Sequence, residues 1–87
     1  LSQLTGVDFT DNNIGYAYRE LNQLDSAFVY FNKAIAMNNN FAEGYFERGK
    51  ANQKNNNITN ACNDWNKANS LGYKDSTNLL NKYCKVP

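Results

Sequence analysis

The sequence contains no histidine, only one proline and no apolar run of the roughly 18 residues that a membrane helix needs. Without histidine, neither a Ser-His-Asp nor a Cys-His catalytic arrangement can form, and the common zinc-ligand sets lose a usual member. The five glycines are scattered, whereas phosphate-binding loops need clustered glycines at the start of a helix. These absences predict a chain that is not an enzyme, with no metal, no cofactor and no membrane insertion.

The charge of the chain is nearly balanced. Nine Lys and Arg face eight Asp and Glu, and no run of basic residues gives the cationic surface typical of nucleic-acid binding. At 87 residues we expect one domain, residues 1–87, with a modest core. The start at Leu1, without a methionine or a signal-like segment, predicts a piece excised or processed from a longer protein.

Asparagine is abundant, with seventeen residues that include the runs 38–40 and 55–57. Apolar periodicity continues on both sides of each run, so turn chemistry is favoured over disorder. Asparagine tolerates the left-handed backbone conformation and caps helices. Asn22 and Asn56, 34 residues apart, are each predicted to end a helix with a positive φ.

Apolar residues recur at helical spacing in five segments, which predicts an all-α chain without strands. The predicted helices run over residues 10–21, 23–37, 41–54, 58–70 and 75–85, with 25 as an alternative start of the second. Gly72 is expected to terminate the fourth helix.

At four positions, a residue of the same kind is found again 34 residues later in the sequence. The first set is Gly15, Ala27, Phe31 and Ala34, and the second set is Gly49, Ala61, Trp65 and Ala68. A fixed period of this length predicts stacked helix-turn-helix units. Small side chains let two helix axes approach to the short end of about 8–10 Å, and the aromatic ring fills the remaining gap.

These residues resemble the tetratricopeptide repeat over about residues 8–83. A weaker similarity to Sel1-like repeats, through Trp65 and Leu71-Gly72, ranks lower because those repeats are longer. The resemblance implies an α-solenoid with repeat one at about 8–41, repeat two at about 42–75 and a capping helix at about 75–85. The proline that usually ends each repeat is replaced by Asn39 and Tyr73, which predicts less rigid junctions.

The resemblance also implies a non-catalytic protein–protein interaction module that binds a peptide or partner segment in a concave groove between the first helices of the repeats. By repeat register, the groove is lined by Asn12, Asn13, Tyr16, Arg19, Glu43, Phe46, Glu47, Lys50 and Lys54. The alternative is a structural spacer or self-association unit of a larger protein, with a second copy of the chain as the partner.

Two aromatic residues, Tyr16 and Phe46, are the expected anchors of this groove. Phe46 follows the inward Tyr45 by one residue, about 100° around the helix, so we expect it to point away from the core. Arg19 and Lys50 would flank the two rings and favour a partner segment with acidic neighbours. The family's clamp for a terminal carboxylate is not reproduced here.

Arg48 and Asp64 occupy the positions that Ile14 and Tyr30 hold in the first repeat. Both members of a facing pair thus change from apolar to charged together. This favours a structural ion pair between the third and fourth helices over a ligand-binding arginine.

The two cysteines, Cys62 and Cys84, lie similarly far from the turn at 71–75, so antiparallel helices would bring them to one level. The residues leave open whether they are two buried thiols or a disulfide. A disulfide would indicate an extracytoplasmic setting, and free thiols a cytoplasmic one.

Overall fold

The computed structural model describes residues 7–84. Within this range the chain forms five helices and no strand, as predicted. They are α1 (Val7–Glu20), α2 (Leu24–Met37), α3 (Ala42–Lys54), α4 (Ile58–Ser70) and α5 (Ser76–Tyr83). The short turns between α1 and α4 make consecutive helices antiparallel, so alternate helices run in the same direction.

The ends of the helices follow from local turn chemistry. Asn22 and Asn56 have φ values of 60° and 62°, which confirms both as the residues that end α1 and α3. The α4 helix begins and ends where predicted, because the Asn57 side chain accepts the Asn60 N–H at 3.2 Å and Gly72 leaves the helix with φ +100°. The α1 helix begins earlier than predicted, and α5 ends at Tyr83, before the predicted end at residue 85, which itself lies outside the described residues.

Each helix pair is held together by an aromatic ring that lies against a glycine. A Cβ atom on Gly15 would lie 2.8 Å from Cδ1 of Phe31, and one on Gly49 would lie 2.6 Å from Cδ1 of Trp65. Packed side chains do not approach this closely, so both positions require glycine. The matched small residues and rings therefore have the packing role that the 34-residue period predicts.

The core consists of two clusters that share α3. Ala27, Phe31 and Ala51 form one cluster between α1, α2 and α3, with Tyr18 and Phe28 packed against it. The other cluster lies between α3, α4 and α5 and contains Phe46, Ala61, Trp65 and Ala68. Since α3 contributes to both clusters, it is the central element of the molecule.

The last helix, α5, packs against α4 and is tied to it covalently. Cys62 and Cys84 form a disulfide with a Cα–Cα distance of 5.8 Å. The Tyr83 ring lies 5.7 Å from the Trp65 ring, and Leu79 and Leu80 pack against the same cluster. Of the two arrangements that the sequence left open for the cysteines, the structure therefore has the disulfide.

Candidate interaction surface

One side of the molecule is formed by α1 and α3, and we call it the α1/α3 face. On α1 it carries Asn12, Tyr16 and Arg19, which share a side of the helix through their spacing of four and three residues. Tyr16 is 47% exposed, whereas Asn12 and Arg19 are only 2% and 3% exposed. Asn13 is exposed. Of the four α1 residues predicted to line a groove, two are therefore accessible and two are buried.

Arg19 connects the two repeats rather than facing a partner. Its Nη1 donates to the Glu47 carboxylate at 2.5 Å and to the Glu47 carbonyl oxygen at 3.0 Å. Its guanidinium also lies 4.9 Å from the centre of the Tyr16 ring and 5.9 Å from that of Phe31. The expectation that Arg19 is available to orient an acidic partner is wrong, because Glu47, itself buried, occupies that charge.

Phe46 belongs to the core, so the prediction that it points away from the core and forms a two-ring platform with Tyr16 is wrong. Its side chain is 7% exposed and packs in the Trp65 cluster, and the Trp65 indole donates to the Phe46 carbonyl at 3.2 Å. The Tyr73 ring covers it at a centroid distance of 4.6 Å, and the Lys50 ammonium lies 4.8 Å from its centre. A residue 100° from Tyr45 is still on a packed side of α3, because neighbours surround this helix.

Tyr73 is a residue that the sequence interpretation missed as part of this face, since it was considered only as a substitute for a junction proline. Because Tyr73 lies 34 residues after Asn39, the repeat period identified it as a junction residue. The period did not indicate that its ring packs on Phe46. Burial raises the pKa of Tyr73, and the nearby charges of Glu43, Glu47 and Asp75 raise it further. These three carboxylates are therefore close enough to this ring to act on it electrostatically.

Glu43 is a half-buried carboxylate on the same face, and it makes no ion pair within the described residues. Burial raises its pKa above the ordinary value of 4.5, and the adjacent Glu47 charge raises it further. Lys50 is half-buried and Lys54 is exposed towards the end of α3. Of the predicted α3 residues, Glu43, Lys50 and Lys54 thus remain accessible, and Phe46 and Glu47 do not.

Arg48 and Asp64 are paired between α3 and α4. Nε and Nη2 of Arg48 donate to the two carboxylate oxygens of Asp64 at 2.9 and 2.7 Å, and Asn52 Nδ2 donates to the same carboxylate at 3.0 Å. The hydrogen bond to Asp64 raises the pKa of Arg48, so the guanidinium stays charged. This ion pair lies away from the α1/α3 face and is shared by two packed helices.

Residues 7–84 contain neither a metal-binding cluster nor a membrane-spanning helix. Among residues 7–84, no three His, Cys, Asp or Glu side chains are grouped so that they could hold a metal ion. No helix in this range has both the length and the apolar character that crossing a membrane requires.

Comparison with known proteins identifies the repeat. Residues 15–56, from the small residue of α1 to the turn after α3, match the family model of the TPR repeat. No curated protein and no solved structure matches the chain. TPR repeats are typically non-catalytic protein–protein interaction modules, and the match agrees with the all-helical architecture and the 34-residue period. The segment 15–56 is therefore assigned to the tetratricopeptide repeat family.

Proposed function

We propose that this chain binds an extended segment of a partner protein on its α1/α3 face, with Tyr16 as the anchor. The observation that carries the proposal is the state of Tyr16, which is 47% exposed yet held over Arg19. Arg19 is in turn fixed to α3 through two contacts with Glu47. A ring that is exposed and already positioned loses little conformational entropy on binding, which favours it as an anchor.

The charges on this face favour a partner segment with a basic side chain beside the apolar one. Tyr16 and Glu43 each lie about one turn before the Arg19–Glu47 contact, on helices that run the same way, so they lie at a similar level of the α1/α3 face. Glu43 is half-buried, makes no ion pair among residues 7–84 and lies beside a second carboxylate, so a Lys or Arg from the partner would supply a counter-charge. This replaces the expectation of acidic neighbours, which depended on a free Arg19.

A peptide-display selection against the wild-type chain tests the proposal. We expect enriched peptides to combine an aromatic or aliphatic residue with a Lys or Arg. Tyr16→Ala should weaken a selected peptide at least tenfold, about 1.4 kcal/mol, while the chain stays folded and loses only the stability of the Tyr16–Arg19 contact, about 0.5–1 kcal/mol. The matched control is Val29→Ala, which removes an exposed apolar side chain from α2 and should leave the affinity unchanged.

Two results would contradict the proposal. Equal loss of affinity in both variants would show that the peptides do not bind at the α1/α3 face. A selection without enrichment, together with a wild-type chain that forms dimers as its concentration rises in sedimentation experiments, would instead support a self-associating spacer.

We also propose that the chain acts in an extracytoplasmic compartment. The support is the Cys62–Cys84 disulfide, since such bonds persist in oxidising compartments and are rare in the reducing cytosol. Alkylation of free thiols in intact cells tests this proposal, because modification of both cysteines in the native chain would place it in a reducing compartment.

A further inference from the structure

An open cleft lies on the side of the molecule formed by α2 and α4. Its volume is about 410 Å³, and its lining comes from α2, α3 and α4. This volume is within the range of small-molecule sites in proteins, about 300–1,000 Å³. The α1/α3 face contributes none of the lining side chains, so the cleft is a separate surface.

The charged groups in the cleft neutralise each other. Asp64 accepts two hydrogen bonds from Arg48 and one from Asn52, so its charge is paired and its lone pairs are largely occupied. The other lining residues are neutral. An anionic ligand would meet the Asp64 carboxylate and a cationic one the Arg48 guanidinium, so an uncharged ligand is favoured.

The walls of the cleft offer several uncommitted hydrogen-bonding groups. Asn60 and Asn63 lie one turn apart on α4, both are exposed, and neither side-chain amide makes a hydrogen bond within the described residues. Asn32 accepts from Nη1 of Arg48 at 2.9 Å, which leaves its amino group available. Arg48 uses three of its five N–H donors for Asp64 and Asn32, so two remain.

Phe28 adds an apolar surface to these polar groups. Its ring is half-buried, with part packed against the cluster of Phe31 and Ala51 and part lining the cleft. A sugar ring can match both kinds of surface. The C–H groups on its face can pack on an aromatic ring, and the hydroxyls at its edge both donate and accept hydrogen bonds. Asparagine amides also donate and accept in one plane, so they suit hydroxyl groups better than a lone donor does.

We infer that the cleft binds a neutral saccharide, with sugar hydroxyls on the Asn60 and Asn63 amides and on Arg48, and the sugar face on Phe28. The proposal is independent of the partner segment, because the cleft is lined by α2, α4 and the side of α3 that faces them, and by none of the residues proposed to bind that segment. A bound saccharide would leave the Arg48–Asp64 pair intact and use only the donors that this pair does not occupy.

Titration of the ¹⁵N-labelled chain with cellobiose and with N,N′-diacetylchitobiose tests the inference by NMR. We expect saturable shifts of the side-chain NH₂ signals of Asn60 and Asn63 and of the Arg48 Nη–H signals with at least one of them, because the Nε–H remains bonded to Asp64. Glucuronic acid, the charged control, should bind at least tenfold more weakly. Tyr16→Ala should bind the saccharide as the wild type does, which separates this site from the α1/α3 face.

A pair of variants makes the test specific. Asn60→Ala with Asn63→Ala should reduce saccharide affinity at least tenfold, whereas Asn66→Ala, an exposed asparagine of α4 outside the cleft, should not. The inference is overturned if neither saccharide gives a saturable shift at millimolar concentration, or if Asn66→Ala causes the same loss. Tighter binding of glucuronic acid, or of a short asparagine-containing peptide, at the same amides would overturn it as well.

Discussion

Arg19 and Glu47 are buried charges whose contact crosses from the first repeat to the second. Removing two charges from water is costly, and this cost is offset only when both are paired and hydrogen-bonded. Arg19 meets these conditions through the Glu47 carboxylate, the Glu47 carbonyl and the Tyr16 and Phe31 rings. The pair therefore fixes the position of α1 on α3, and with it the position of Tyr16.

Glu47→Gln tests this role, because it keeps the shape of the side chain and removes its charge. We expect it to lower the free energy of unfolding towards the small end of about 3–5 kcal/mol, since the amide oxygen can still accept from Arg19. The control is Glu20→Gln, which removes a carboxylate 3.5 Å from Arg19 that is 55% exposed and should cost under about 1 kcal/mol. Equal losses of unfolding free energy in urea denaturation would show that the buried Arg19–Glu47 pair stabilises the fold no more than the exposed Arg19–Glu20 pair does.

At the scale of the element, α3 shows what the sequence could and could not predict. Its ends are set by local chemistry, and Asn56 identified one of them. Its side chains are buried in more than one direction, as Phe46, Glu47 and Ala51 show, because α1, α2 and α4 all pack against it. Periodicity identifies one buried face of a helix, so it placed Phe46 outside when neighbours cover that side too.

An ion pair between helices could be predicted from the sequence only where both of its residues are charged and the residues 34 positions earlier are not. Arg48 and Asp64 did so, and the structure pairs them. Arg19 and Glu47 have no charged counterparts in the other repeat, because Gln53 and Asn13 hold those positions. No pattern in one sequence relates Arg19 to Glu47, so their contact had to come from the three-dimensional arrangement.

The α5 helix depends on its link to α4, because eight residues are too few for a helix to be stable alone in water. Reduction of the Cys62–Cys84 bond should lower the free energy of unfolding by about 3 kcal/mol in the chain-entropy model. It should also expose the amides of α5 to hydrogen exchange before those of α1 and α2. If α5 keeps its protection in reductant, the packing of Leu80 and Tyr83 on the Trp65 cluster is sufficient to hold it.

The whole molecule is an elongated stack with principal extents of 42, 28 and 16 Å, in which each helix packs mainly on its neighbours. Repeat stacks of this kind unfold together only when the interface between repeats is strong compared with the repeats themselves. In this chain α3 belongs to both core clusters, and the Arg19–Glu47 contact adds a polar link between them. We therefore expect the two repeats to unfold as one unit.

Trp65→Ala tests this cooperativity. Trp65 is fully buried, and its truncation should cost about 3–5 kcal/mol, a large part of the roughly 4–13 kcal/mol available to a chain of this length. Because α3 would lose its packing on α4, the amides of α1 and α2 should lose hydrogen-exchange protection together with those of α4. Protection that persists in α1 and α2 while α4 exchanges freely would show that the first repeat is stable alone. In that case α3 would transmit little stability between the repeats, and the Arg19–Glu47 contact would position Tyr16 without coupling the two cores.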